Sequence, residues 1–171
     1  MAGSLIKIQE TTVTSAVASV TLTGIDSTYD VYKVILNNVL PDTDSVNFKL
    51  RFTVSSSADT SSNYDKAAKN LRGDSAFSNI SNQNEDHIDI GSLGTAGNEM
   101  NNSIFYLFNF NNASEYSFCT MEETIRNDSG HLRGFQGGGV LTVAQATDGV
   151  NYSFSSGNIA SGTFTLYGLK K

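Results

Sequence analysis

Residues Val46-Asn47-Phe48-Lys49-Leu50-Arg51-Phe52-Thr53-Val54 alternate apolar with polar side chains without a break. A β-strand turns successive side chains to opposite faces. This order therefore places Val46, Phe48, Leu50, Phe52 and Val54 on one buried face and sends Lys49 and Arg51 into water. The segment upstream, Tyr29-Asp30-Val31-Tyr32-Lys33-Val34-Ile35-Leu36-Asn37-Asn38-Val39, is rich in β-branched and aromatic residues and ends at Leu40-Pro41-Asp42-Thr43-Asp44, which holds the only proline. The two stretches are expected to form a hairpin-like pair joined by a Pro-Asp turn.

Further along, Ile104-Phe105-Tyr106-Leu107-Phe108-Asn109-Phe110 and Tyr116-Ser117-Phe118-Cys119-Thr120-Met121 flank the turn residues Asn111-Asn112-Ala113-Ser114. The first of these is apolar on both faces, as a central strand is. The last third is glycine-punctuated strand: Gly137-Gly138-Gly139-Val140-Leu141-Thr142-Val143, Val150-Asn151-Tyr152-Ser153-Phe154, and Ser161 through Lys171. An apolar strand running to the end of the sequence predicts a C-terminal segment woven into the core. Weaker strand signals lie at Leu5–Gln9, Val17–Thr23 and His87–Ile90. With turn signals at this spacing the chain reads as all-β, an antiparallel β-sandwich of about nine strands.

The 171 residues suit one domain, 1–171, able to bury roughly 70% of its unfolded surface. Two stretches stand out from the strand pattern. Residues 2–14 read as an N-terminal arm, and residues 55–84 as a long polar loop, of the kind that marks binding or assembly contacts. Within that loop Tyr64–Gly73 reads as a helical turn or an irregular strand.

Only 16% of residues are charged and the net charge is −6, so no basic stripe exists to displace counterions from phosphates, and nucleic acid is excluded as a partner. No stretch approaches a membrane span and the N-terminus lacks the pattern of a signal peptide, so synthesis in the cytoplasm without a membrane partner is expected. The single cysteine, Cys119, lies in an apolar run and reads as a buried, inert thiol.

The search for chemistry is mostly negative. There is no phosphate-binding G-x-x-x-x-G-K-[ST] and no nucleophile elbow, so no enzyme and no cofactor are expected. Gly137-Gly138-Gly139 reads as a bulge or tight bend. Metal binding has one weak candidate: alternation puts Glu85, His87 and Asp89 on one strand face, where a solvated polar face is the simpler reading. Most aromatic residues fall at inward positions, which leaves Tyr29, Tyr64 and Tyr106 as the candidates for stacking on a sugar.

The stretch Ser27–Pro41 followed by Val46–Phe52, together with the closing Ser155–Leu169, resembles small virion structural proteins of tailed bacteriophages, particularly those of marine and cyanobacterial hosts. The resemblance spans Ile25 to Lys170 and rests on strand and turn patterns. It implies a jelly-roll-like sandwich that self-associates, often as a homotrimer, on the capsid or tail. Brevity then favours a capsid decoration or cement protein. Such a protein binds the outer surface of the major capsid protein lattice through the N-terminal arm and loops. The alternative is a tail-fibre tip or baseplate-associated adhesin that holds a host glycan.

Overall fold

The computed structural model describes residues 4–170. They form thirteen strands: β1 (Leu5–Val13), β2 (Ser19–Thr23), β3 (Val31–Pro41), β4 (Val46–Val54), β5 (Ser57–Ala58), β6 (Tyr64–Arg72), β7 (Ser78–Glu85), β8 (Ile88–Leu93), β9 (Asn101–Phe108), β10 (Ser117–Arg126), β11 (Leu132–Leu141), β12 (Gly149–Phe154) and β13 (Ile159–Leu169). Eight strands make one sheet in the order β1-β13-β3-β9-β10-β11-β6-β7. The other sheet runs β2-β12-β4, with β5 and β8 side by side along the far edge of β4. All pairings are antiparallel. The fold is thus an antiparallel β-sandwich of eight strands against five, and this strand path does not by itself define a jelly roll.

β4 shows how the sequence builds the core. Val46, Phe48, Leu50 and Phe52 are buried as the alternation predicts, while Val54 is half-buried at the strand end. Phe48 stacks on Phe154 at 4.8 Å between ring centroids, and Phe52 meets Phe110 edge-on at 4.7 Å. From the facing sheet, Phe105 and Phe164 close on Tyr152 at 6.0 and 5.6 Å. Each such ring contributes roughly 1.5–3 kcal/mol when fully buried. The second face of β4 is wetter, though Arg51 is not free in water: its Nε donates to the Asp86 carbonyl at 2.8 Å and its guanidinium pairs with the Asp86 carboxylate.

Four expectations need correction. β3 and β4 are not a hairpin but lie in opposite sheets, linked by an arch over residues 42–45. Each strand has one strongly apolar face, and setting those faces against each other across the sandwich buries both. Asp42 anchors the arch, accepting hydrogen bonds from Asn158 N at 2.7 Å and Asn158 Nδ2 at 2.8 Å.

The polar loop 55–84 is mostly strand, and β5, β6 and β7 raise the count above nine. Alternation failed there because the inward positions of β6 are Tyr64, Lys66, Ala68 and Asn70, two of them polar residues that are nonetheless buried.

The expected N-terminal arm is for the most part β1, paired along its length with β13; Ala2 and Gly3 lie outside the described residues. Finally, Gly137-Gly138-Gly139 makes no bulge. The ladders from β11 to β10 and β6 run through it in register. A Cβ at Gly137 would lie 2.3 Å from the Ala67 carbonyl oxygen, and one at Gly139 2.6 Å from Ile88 Cδ1. These glycines allow close approach.

The predicted hairpin over Ile104–Met121 is present as β9 and β10, and β9 is central in its sheet. The C-terminal strand β13 lies between β1 and β3. Among the described residues no helix is long and apolar enough to cross a membrane.

Candidate interaction face

The inner face of the eight-stranded sheet is core, so its outer face is defined by register. One row crosses all eight strands through Lys7, Tyr167, Lys33, Tyr106, Thr120, Gly138, Ala67 and Ser81. On one flank lies Val31, Phe108, Phe118, Val140 and Asp65. The other flank is Ile35, Ile104, Glu122, Gln136, Lys69 and Asn79. Nothing described covers these rows. Tyr106, Phe108, Ile35 and Ile104 are half-buried by their neighbours alone, and Phe118 is 42% exposed.

Two grooves cross this face. One, of about 480 Å³, runs past Ile35, Asn102, Ile104, Glu122, Thr124 and Gln136. The other, of about 440 Å³, is lined by Ala67, Ser81, Gln83, Phe118, Thr120 and Gly138. Small residues at Gly138 and Ala67 leave the second groove open, with Phe118 as its one exposed ring. Lys33 Nζ lies 5.2 Å from the Tyr106 ring centroid, a cation–π contact that tethers the amine over the sheet. Lysines 7, 33 and 69 are matched by Asp65, Glu10 and Glu122 on this half of the molecule, so the face has mixed charge and no strong field. Beyond the second flank, Phe77 and Leu132 are 59% and 60% exposed and line a further groove with Leu71 and Arg72.

The sugar-stacking candidates separate. Tyr106 lies on the open face. Tyr64 does not: it is buried, and its hydroxyl accepts from Phe52 N at 3.0 Å and donates to the Asp59 carbonyl at 3.2 Å, so it is a core residue linking two strands. Tyr29 is half-buried, edge-on to Tyr32 at 5.6 Å and set so close that a Cβ on Gly168 would lie 2.3 Å from its ring. That ring is covered by backbone and offers no platform. Phe118, Phe108 and Tyr167 were missed, because alternation reads aromatic residues as inward.

Glu85, His87 and Asp89 do not share a strand face. Glu85 ends β7 in one sheet, Asp89 belongs to β8 in the other, and His87 lies in the crossing between them. They do line one small cleft of about 180 Å³ with Asn47 and Asn82. His87 Nδ1 is engaged by Asp86, and Asp89 Oδ1 accepts from Gly91 N at 3.2 Å. The hydrogen bond from His87 and the Arg51 guanidinium hold the Asp86 carboxyl down at about 2. Among the described residues no group of His, Cys, Asp and Glu could hold a metal ion.

Inside the sandwich sits a polar group that the sequence did not announce. Lys66 and Glu123 are both buried on the inward faces of β6 and β10. Lys66 Nζ donates to the Asp89 carbonyl and lies 5.2 Å from the Phe135 ring centroid. Neither carboxylate oxygen of Glu123 has a hydrogen-bond partner. Burial pushes its pKa well up, with Asp89 adding to the effect and Lys66 opposing it. Cys119 is buried in the same layer, and burial pushes its thiol up to about 12.

No family model, no curated protein and no solved structure matches the chain.

Proposed function

We propose that this chain is a structural protein of a bacteriophage virion that decorates the head, docking on the outer surface of the major capsid protein lattice. The observation that carries the reading is the outer face of the eight-stranded sheet. It is broad, has mixed charge, and holds Ile35, Ile104, Tyr106, Phe108 and Phe118 at a surface that nothing described covers. Contiguous apolar surface of this kind on a folded chain marks an interaction site. The strand and turn pattern from Ile25 to Lys170, which resembles small phage virion proteins, supplies the kind of partner. Docking through the face replaces docking through an N-terminal arm, since β1 is part of the sheet.

The test is sedimentation of purified chain with capsid shells that lack it. Saturable binding is expected, and Phe118→Asp, which alters an exposed side chain and leaves the core intact, should weaken it at least tenfold, as loss of a central aromatic anchor does. Absence of binding by the wild-type chain contradicts the reading.

A second reading, a tail-tip or baseplate adhesin for a host glycan, is favoured by the groove at Phe118. One exposed ring among Thr120, Ser81 and Gln83 is the chemistry that stacks on a sugar and bonds its hydroxyls. Binding of host-surface polysaccharide by the wild-type chain and its loss in Phe118→Asp would support this reading over the first.

A further inference from the structure

The four sheet edges of this molecule are treated differently, and the difference identifies an interface. An open edge strand presents unpaired N–H and C=O groups and recruits another chain unless something blocks it. In the five-stranded sheet, β2 is blocked by a side chain. Gln9 accepts from Thr23 N at 2.7 Å and donates to the Thr21 carbonyl at 3.3 Å, imitating a neighbouring strand with one carboxamide. It reaches there because the register of β1 on β13 shifts between Lys7 and Gln9, a bulge that turns the side chain toward the other sheet. The opposite edge is shared by β5, which at two residues is too short to template a partner, and β8, where Lys66 Nζ occupies the Asp89 carbonyl and the Asp89 carboxylate takes Gly91 N.

In the eight-stranded sheet, β1 carries that bulge together with Lys7 and Glu10, whose side chains pair at 3.5 Å on the surface. Bulges and charges are the usual guards of an edge.

β7 lacks the charges, and its one bulge lies near its end, between Asn82 and Glu85, where Asn84 is left-handed and its N–H is held by Asp65 at 2.9 Å; Ser78–Asn82 runs along β6 without a break. Its eight residues, Ser78-Asn79-Ile80-Ser81-Asn82-Gln83-Asn84-Glu85, contain no lysine and no proline, and its only charge is at the last position. β6 is its one strand partner, and among the described residues no side chain blocks its far edge. Ile80 turns inward against the core while Asn79, Ser81 and Gln83 are exposed.

We propose that β7 pairs antiparallel with β7 of a second copy of this chain, joining two eight-stranded sheets into one across a two-fold axis. Neutral amide and hydroxyl side chains would then face their own kind, with no like charges opposed near the centre of the strand. A single open edge supports an isologous pair. The three-fold association implied by the phage resemblance needs β7 to meet a different edge, and the others are blocked or guarded. The inference stands apart from the virion reading, because the pair forms without any particle.

Light scattering on the purified chain tests it. The expected mass is twice the 18.3 kDa of one chain. The doubly substituted chains Ser81→Lys/Gln83→Lys and Ser81→Glu/Gln83→Glu should each run as monomers, since like charges then face each other, and an equimolar mixture of the two should restore the pair. Both positions point away from the core, so the fold is kept. Amide exchange in the wild-type chain gives a reading that needs no variant: residues 78–85 should be protected when paired and lose that protection on dilution. A monomeric wild-type chain, a lysine variant that still pairs, or a mixture that stays monomeric overturns the proposal. Phe118→Asp, which alters the outer face and leaves β7 unchanged, should still run as the pair, and this separates the pair from docking through that face.

Discussion

Glu123 is the residue most at odds with its surroundings, a carboxyl in the sandwich interior with neither oxygen partnered. A carboxyl whose folded-state pKa lies above its unfolded value contributes its stability below the unfolded value and loses it as pH rises through the folded one. The protein should therefore weaken as pH climbs above the ordinary carboxyl range. Glu123→Gln should melt at least as high as the wild type at neutral pH and show a flatter pH dependence there, measured by thermal unfolding. A variant that melts lower would mean that the ionised carboxylate is needed beside Lys66. Cys119 gives a second check: with its thiol pushed up to about 12 by burial, it should resist alkylation at neutral pH until the chain is unfolded. Gly137→Ala drives a methyl group against the Ala67 carbonyl and should cost about 1–3 kcal/mol, the range for overpacking, in chemical denaturation. The buried lysine, asparagine and glutamate could not be found from sequence. Polar residues are read as surface residues by default, and here Lys66, Asn70 and Glu123, with Asn101 and Asn127 among others, are buried.

Among the strands, those with one strongly apolar face were legible. β4, β9, β12 and β13 are where alternation or an apolar run put them, because burying that face is the largest single gain open to the segment. β7 was read as loop, and β6 as a helical turn or an irregular strand, of which the strand is right; their inward positions include Lys66, Asn70 and Asn82, and hydrogen bonds to β11 and within the β6–β7 pair, which leave no mark on composition, hold them in the sheet. The partner of a strand was less legible than the strand itself. β3 and β4 are joined by four residues and still go to opposite sheets. The blocking of β2 by Gln9 depends on a bulge and could not be read from the residue alone. Gln9→Ala removes two hydrogen bonds, should cost about 1–3 kcal/mol, and leaves two backbone groups of β2 open. Unfolding should register the loss. Light scattering should show slow growth of assemblies, because a second edge then becomes available.

Across the whole molecule, the sandwich spends five strands on closing the inner face of the larger sheet and leaves that sheet's outer face bare. The two surfaces proposed for partners adjoin at Ser81 and Gln83: the backbone edge of β7 for a second copy, and the rows around Tyr106 and Phe118 for the particle. None of this was visible before the register was known, since a row across a sheet joins residues far apart in the chain, such as Lys7 and Tyr167 or Thr120 and Ala67. The open face is the basis of the proposed role, and its location in a particle decides that role. Immunogold labelling of intact phage particles with antibody raised against the purified chain should give regular label over the head. Label confined to the tail, or none on the particle, contradicts decoration of the capsid.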